Sequence, residues 1–159
     1  MRNIKFRGKV LGEPKWVYGD LVRTAVSKLQ IPNPALGLPR SDYVLFTEQG
    51  TFLIKPLTIG QFTGLLDKNG KAIYEGDILT QDTYIWKDRG NLNYVGVVEW
   101  VYSQWQVIAY CVDPAKQGIS NGVNYGLNYD GFFDGEKTAW EKLGNVHDHP
   151  GLLEGSVEA

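Results

Sequence analysis

The sequence predicts a mainly β protein, in which antiparallel strands form a small rolled sheet or an SH3-like barrel and a short helical turn ends the chain. Three observations carry that prediction. Apolar and polar residues alternate along many short runs, which places successive side chains on opposite faces of a strand. Glycine, proline and asparagine punctuate those runs, whereas sustained helical periodicity is scarce. Residues 59–78 carry Asn69-Gly70 between apolar runs, the strongest short-range hairpin signal, because both residues tolerate positive φ.

The elements follow in order. Strands are expected over residues 3–7 and 16–22, with Glu13 and Pro14 turning between them. In the second, Trp16, Tyr18, Asp20 and Val22 share one face and Val17, Gly19 and Leu21 the other. A helical turn fits residues 24–29, and Pro32, Pro34 and Pro39 make 31–40 an irregular loop. Residues 43–47 and 51–55, joined by Glu48, Gln49 and Gly50, form a hairpin rich in aromatic and β-branched residues, which Pro56 stops. After the Asn69-Gly70 hairpin, Gly76 permits a sharp bend or bulge beside Asp77, and a new strand leaves over 78–83. Residues 82–93 read as an exposed loop with Tyr84, Ile85 and Trp86 as a short apolar anchor.

Strands resume at 94–101 and 104–112, with Tyr102 and Ser103 in the connection. Val97, Glu99 and Val101 alternate with Val98, Trp100 and Tyr102, so both faces carry apolar groups, as in a central strand or an oligomer contact. In residues 118–135 glycine, asparagine and tyrosine alternate without strand or helix periodicity, which reads as a loop. Its aliphatic-Asn-Tyr triplets at 123–125 and 127–129, with another at 92–94, are too few and too irregularly spaced to be an architectural repeat. A strand over 138–146 and a helical turn at 150–154, with Pro150 at its first position, complete the fold.

At 159 residues the chain is expected to be a single domain, 1–159, with subdomains 1–56 and 57–154 and a frayed tail at 155–159. Sixteen basic against eighteen acidic residues leave a formal charge of -2, so no basic surplus announces nucleic acid and no polybasic run announces an anionic membrane. Cys111 is the single cysteine, which excludes an intrachain disulfide and a multi-thiolate metal site and fits a reducing compartment. The N-terminus is basic but lacks the apolar core of a signal peptide, and no window is apolar enough for a membrane helix. A cytoplasmic protein of a bacterial host cell, without membrane contact, is expected.

These pieces together resemble the YopX-like family of proteins from temperate bacteriophages and prophages. The resemblance covers Met1 to Arg7, Trp16, Tyr18, Gly19 and Asp20, and most specifically Pro56, Gly60, Gln61, Gly64, Asp67, Asn69, Gly70, Tyr74, Glu75, Gly76 and Asp77. Gly96-Val97-Val98 and the tail from Leu143 to Leu153 complete it, whereas 82–136 departs from the pattern. It implies a largely β fold, a phage or prophage source and homo-oligomerisation. It carries over no activity and no catalytic residue.

Candidate sites are weighed against plainer roles. Glu75 and Asp77 place two carboxylates beside Gly76, which could share acid/base work or bind a hard cation. Capping of the turn by Asp77 is the favoured reading, so Asn69, Gly70, Gly76 and Asp77 are assigned as structural turn residues. His147 and His149 flank Asp148 and could offer two imidazoles to a metal, but two ligands do not make a site; a structural role is favoured there too. Cys111 lies in an apolar strand and the serines sit in no nucleophile-elbow pattern. No catalytic residue, cofactor or metal is assigned.

The aromatic loops are the better binding candidates. Tyr94, Tyr125, Tyr129, Phe132 and Phe133 combine rigid ring area with neighbouring asparagines, the chemistry of protein interfaces. The leading expectation is a non-enzymatic phage or prophage accessory protein that self-assembles and binds a host or phage protein. The alternative is a nucleic-acid-binding regulator using Arg2, Lys5, Arg7, Lys9 and Lys15 as a basic patch; a hydrolase using carboxylate or histidine residues ranks third.

Overall fold

Runs rich in β-branched and aromatic residues become strands where a neighbouring run satisfies their backbone groups. The computed structural model describes residues 3–23, 41–81, 94–111, 123–127 and 133–153, and at 94, 109–111, 123, 124, 133 and 134 it describes the backbone alone. The turn expected over 24–29, the loop 31–40, the anchor at Tyr84 to Trp86, Tyr129, Phe132 and the tail 155–159 lie outside those residues. The chain divides into two units, Met1–Phe62 and Thr63–Ala159, with the division inside one strand.

In the first unit β1 (Phe6–Lys9), β2 (Trp16–Arg23), β3 (Tyr43–Thr47) and β4 (Gly50–Leu53) make an antiparallel meander, and the start of β5 (Gly60–Leu66) pairs with β1. Because side chains alternate, Val17 and Leu21 of β2 point inward with Leu45, and Val10, Ile54, Phe6 and Phe52 complete the core. The sheet rolls so that the end of β4 returns to the end of β1. Val10 bridges Ile54, the Leu11 N–H donates to the Leu53 carbonyl (2.8 Å) and the Lys55 N–H to the Lys9 carbonyl (2.8 Å). Pro56 then starts a 3-10 turn, Pro56–Thr58, whose Thr58 hydroxyl donates to the Lys55 carbonyl (2.7 Å) and accepts the Lys9 N–H (2.8 Å).

In the second unit the end of β5 forms a hairpin with β6 (Ala72–Tyr74). A five-stranded antiparallel sheet follows, in the order β10 (Val123–Gly126), β9 (Gln104–Cys111), β8 (Tyr94–Val101), β7 (Asp77–Thr80), β13 (Glu141–Asn145). The two short strands β11 (Phe133–Asp134) and β12 (Lys137–Thr138) pair with each other, and β12 touches β5 in parallel at Leu66. β8 is central and apolar on both faces, as its alternation predicts. On one face Val98 joins Ile73, Leu79, Trp105, Val107, Leu127 and Trp140; on the other Val95 and Val97 join Ile78 under Val146, Leu152 and Leu153. The last two belong to the C-terminal 3-10 turn, Pro150–Leu153.

Three expectations are corrected. The SH3-like barrel does not form: among the described residues the strands close no barrel. β10 and β13 stay at opposite edges of their sheet, and in the first unit closure stops at one bridge, because Pro56 lacks the N–H that would continue the ladder. The loop expected over 118–135 contains β10 and β11. The edge of β9 offers hydrogen bonds that the local pattern does not advertise, and the Leu127 N–H donates to the Trp105 carbonyl (3.0 Å) as Leu127 enters the core. The single strand expected over 138–146 breaks into β12 and β13, because Trp140 turns into the core between them, and β13 itself carries a bulge between Lys142 and Gly144.

Candidate functional site

The most specific sequence block builds a buried charged centre. Between β5 and β6 the Gly70 N–H donates to the Asp67 carbonyl (2.9 Å), and the Asp67 N–H donates to the Lys71 carbonyl (2.7 Å). Gly70 has φ of 83° and Gly76 of 81°, the left-handed region, but Lys68 and Asn69 do not. The turn is therefore centred on Lys68-Asn69 with Gly70 as the left-handed residue after it, a three-residue loop, and not on a pair of positive-φ residues at Asn69-Gly70. The cause is Asp67. Its Oδ1 accepts the N–H groups of Asn69 and Lys71, each at 2.8 Å, which holds Asn69 in an Asx turn.

Asp67 and Asp77 are both fully buried, and one lysine of β13 ties them together. Asp67 Oδ2 accepts the Lys142 N–H (3.1 Å), and Asp77 Oδ2 accepts the Lys142 ammonium (2.9 Å) and the Tyr74 N–H (2.8 Å). Lys142 Nζ also donates to the Ala72 carbonyl (3.4 Å) and lies 6.0 Å from the Tyr74 ring centroid. Asp77 thus caps the turn through Gly76. General acid/base work needs a carboxylate within reach of a substrate, and both of these are sealed from solvent and engaged by backbone donors and an ammonium. The arrangement holds two turns and β13 in register.

The histidines serve the next turn. Asn145 Oδ1 accepts the N–H groups of His147 and Asp148 (3.0 Å each), and its amide donates to Asp148 Oδ2 (3.1 Å). His149 folds back so that its Nδ1 accepts the Asn145 N–H (3.3 Å); a Cβ on Gly144 would collide with that ring. His147 and His149 therefore do not present two imidazoles from one strand face. Among the described residues no group of three His, Cys, Asp or Glu could hold a metal ion, and no helix is long and apolar enough to cross a membrane.

Among the described residues of the second unit, exposed aromatic rings gather at the tip of the β8–β9 hairpin. Tyr102 and Ser103 link Val101 to Gln104 as a two-residue turn with φ of 49° and 64°. Both central residues are left-handed, the turn that suits the strand twist but favours Asn and Gly; a bulky residue there is an outlier. Tyr102 is 88% exposed. Beside it Trp100 is 49% exposed and stands edge-on to its cross-strand partner Trp105, with centroids 4.9 Å apart, while Trp105 is buried in the core. The tip is an aromatic projection anchored by an aromatic root.

The sequence-assigned interface residues fare differently. Tyr125 is half-buried against the core, 6.5 Å from Trp140. Tyr94 and Phe133 lie in β8 and β11 with only their backbones described, and Tyr129 and Phe132 lie outside the described residues. Sequence reasoning gave Asp67 and Lys142 no site role, and read Trp100 and Tyr102 as part of an apolar face of a central strand or oligomer contact, with Tyr102 in the connection. Lys142 and its bond to Asp67 come from contacts made far along the chain, whereas the turn that Asp67 caps is local. Trp100 and Tyr102 were legible as the row Val98, Trp100, Tyr102 running past the end of the strand.

The family model described as YopX protein matches residues 5–154. No curated protein matches the chain.

Proposed function

Because the chain belongs to the YopX protein family, we propose that it is a non-enzymatic accessory protein of a temperate phage or prophage, working in the cytoplasm of the bacterial host, that self-assembles and docks a protein partner. The β8–β9 tip carries this reading. Apolarity on both faces of β8 does not, since the chain's own core and C-terminal turn cover those faces. Trp100 and Tyr102 remain, large rings outside the core at a rigid two-residue turn, and residues of this kind are enriched where interfaces gain most of their energy. Backbone outliers of this type also concentrate at binding sites.

One double variant separates binding from folding. Tyr102→Asn with Ser103→Gly supplies the residues a left-handed turn favours, which raises stability by about 1 kcal/mol, and removes the exposed ring. Light scattering at micromolar concentration is expected to show an oligomer for the parent chain and a smaller species for a more heat-stable double variant. A monomeric parent removes the self-assembly half of the reading. A double variant that assembles like the parent, and recovers the same partners from infected cells, removes the tip as the interface.

A further inference from the structure

The first unit carries nine Lys and Arg against four Asp and Glu, a formal +5, while the second carries seven against fourteen, a formal -7. The overall charge of -2 hides this division. On the face of the first sheet opposite its core, two rows run side by side. Lys5, Arg7 and Lys9 alternate onto that face from β1 and the residue before it, and Arg7 and Lys9 lie directly across from Tyr18 and Trp16 of β2. The buried Arg7 guanidinium lies 4.9 Å from the Trp16 ring centroid and the Lys9 ammonium 5.6 Å, so the ring is fixed between cations. Further along, Tyr18 is 50% exposed, and Phe46 of β3, also 50% exposed, sits opposite Asp20 and diagonal to Tyr18.

We propose that this face binds single-stranded nucleic acid, with bases stacked on Tyr18 and Phe46 and phosphates following Lys5 and Lys9. Aromatic rings beside a cationic row are the two parts that sequence-tolerant recognition of single strands requires. A protein hot spot would need neither the row of like charges nor its alignment with the rings. Asp20, a carboxylate on this face, follows Tyr18 along β2 opposite Phe46, and the β1–β2 register carried one residue past Phe6 and Gly19 sets it level with Lys5. It competes with phosphate for Lys5 and so weakens the hold on a strand at that end. The aromatic tip of the second unit plays no part in this proposal.

The test is fluorescence anisotropy of labelled oligo-dT and oligo-U with the full chain, titrated at low and at high salt, with a labelled DNA duplex as competitor. Salt-sensitive binding of a single strand is expected, with the deoxy and ribo arms showing which is preferred. Tyr18→Ala and Phe46→Ala each weaken it about fivefold or more. Lys9→Gln lowers the salt slope by about one. Asp20→Asn tightens binding, an effect that a merely structural residue would not produce. Circular dichroism confirms that each variant is folded, and the gain expected from Asp20→Asn keeps the test decisive if a ring variant unfolds. No binding at low salt, equal binding of duplex, ring variants that bind like the parent, or displacement by polyglutamate as efficient as by oligonucleotide would each overturn the proposal.

Discussion

The two units solve the same problem, covering an antiparallel sheet, in opposite ways. The first rolls its sheet until Val10 meets Ile54 and buries one face, leaving the other to aromatic and cationic residues. The second buries both faces of its central strand β8, and among the described residues its exposed aromatics, Trp100 and Tyr102, stand at the tip of one hairpin. Their formal charges are of opposite sign. The difference teaches that overall composition is a poor guide to surface chemistry here, since a near-neutral total averages a basic unit with an acidic one.

The largest expected effects test whether the units are also separate in stability. Trp140→Ala empties the fully buried ring position of the second core and should cost about 3 to 5 kcal/mol; Ile54→Ala in the first core should cost about 2 to 5 kcal/mol. Hydrogen exchange read segment by segment should show protection lost in β8 and β9 for the former and in β2 and β3 for the latter. Loss of protection across both units from either change would show that they unfold as one.

A smaller effect distinguishes buried from exposed charge within the second unit. Lys142→Met leaves Asp77 buried without its ammonium and should cost about 3 kcal/mol. Lys68→Met removes an exposed pair with Glu141 (2.6 Å) and should change stability by less than about 1 kcal/mol. Chemical denaturation of the two variants measures the contrast, and equal losses would mean that the Lys142 centre is not a keystone. The smallest effect concerns the turn: Gly70→Ala forces a Cβ into a left-handed position and should cost about 1 kcal/mol, with Gly70→Asn costing less. A loss for alanine no greater than for asparagine would place the strain elsewhere.

Much of the fold was legible because strand alternation and turn chemistry are local. The hairpin from Tyr43 to Leu53, the opposition of β8 and β9 through Tyr102-Ser103, and the helical turn at Pro150 all follow from neighbours in the chain. β10 was not legible, because Val123 to Gly126 becomes a strand by completing the edge of β9. The turn residues were seen but their centre was misplaced by one position, since the Asp67 carboxylate, and not glycine content alone, selects the turn.

By itself the sequence determined the strand periods, the places where glycine and proline must bend the chain, and the family to which these belong, all properties of short segments. Tertiary structure alone decided which surface each strand shows. It placed Lys142 between two aspartates from distant turns, turned Tyr125 inward, left Trp100 and Tyr102 outside, and set Tyr18 beside a row of cations. The physical reason is that pairing register and the roll of the sheet couple residues far apart in the chain, and no local pattern records which partner will arrive.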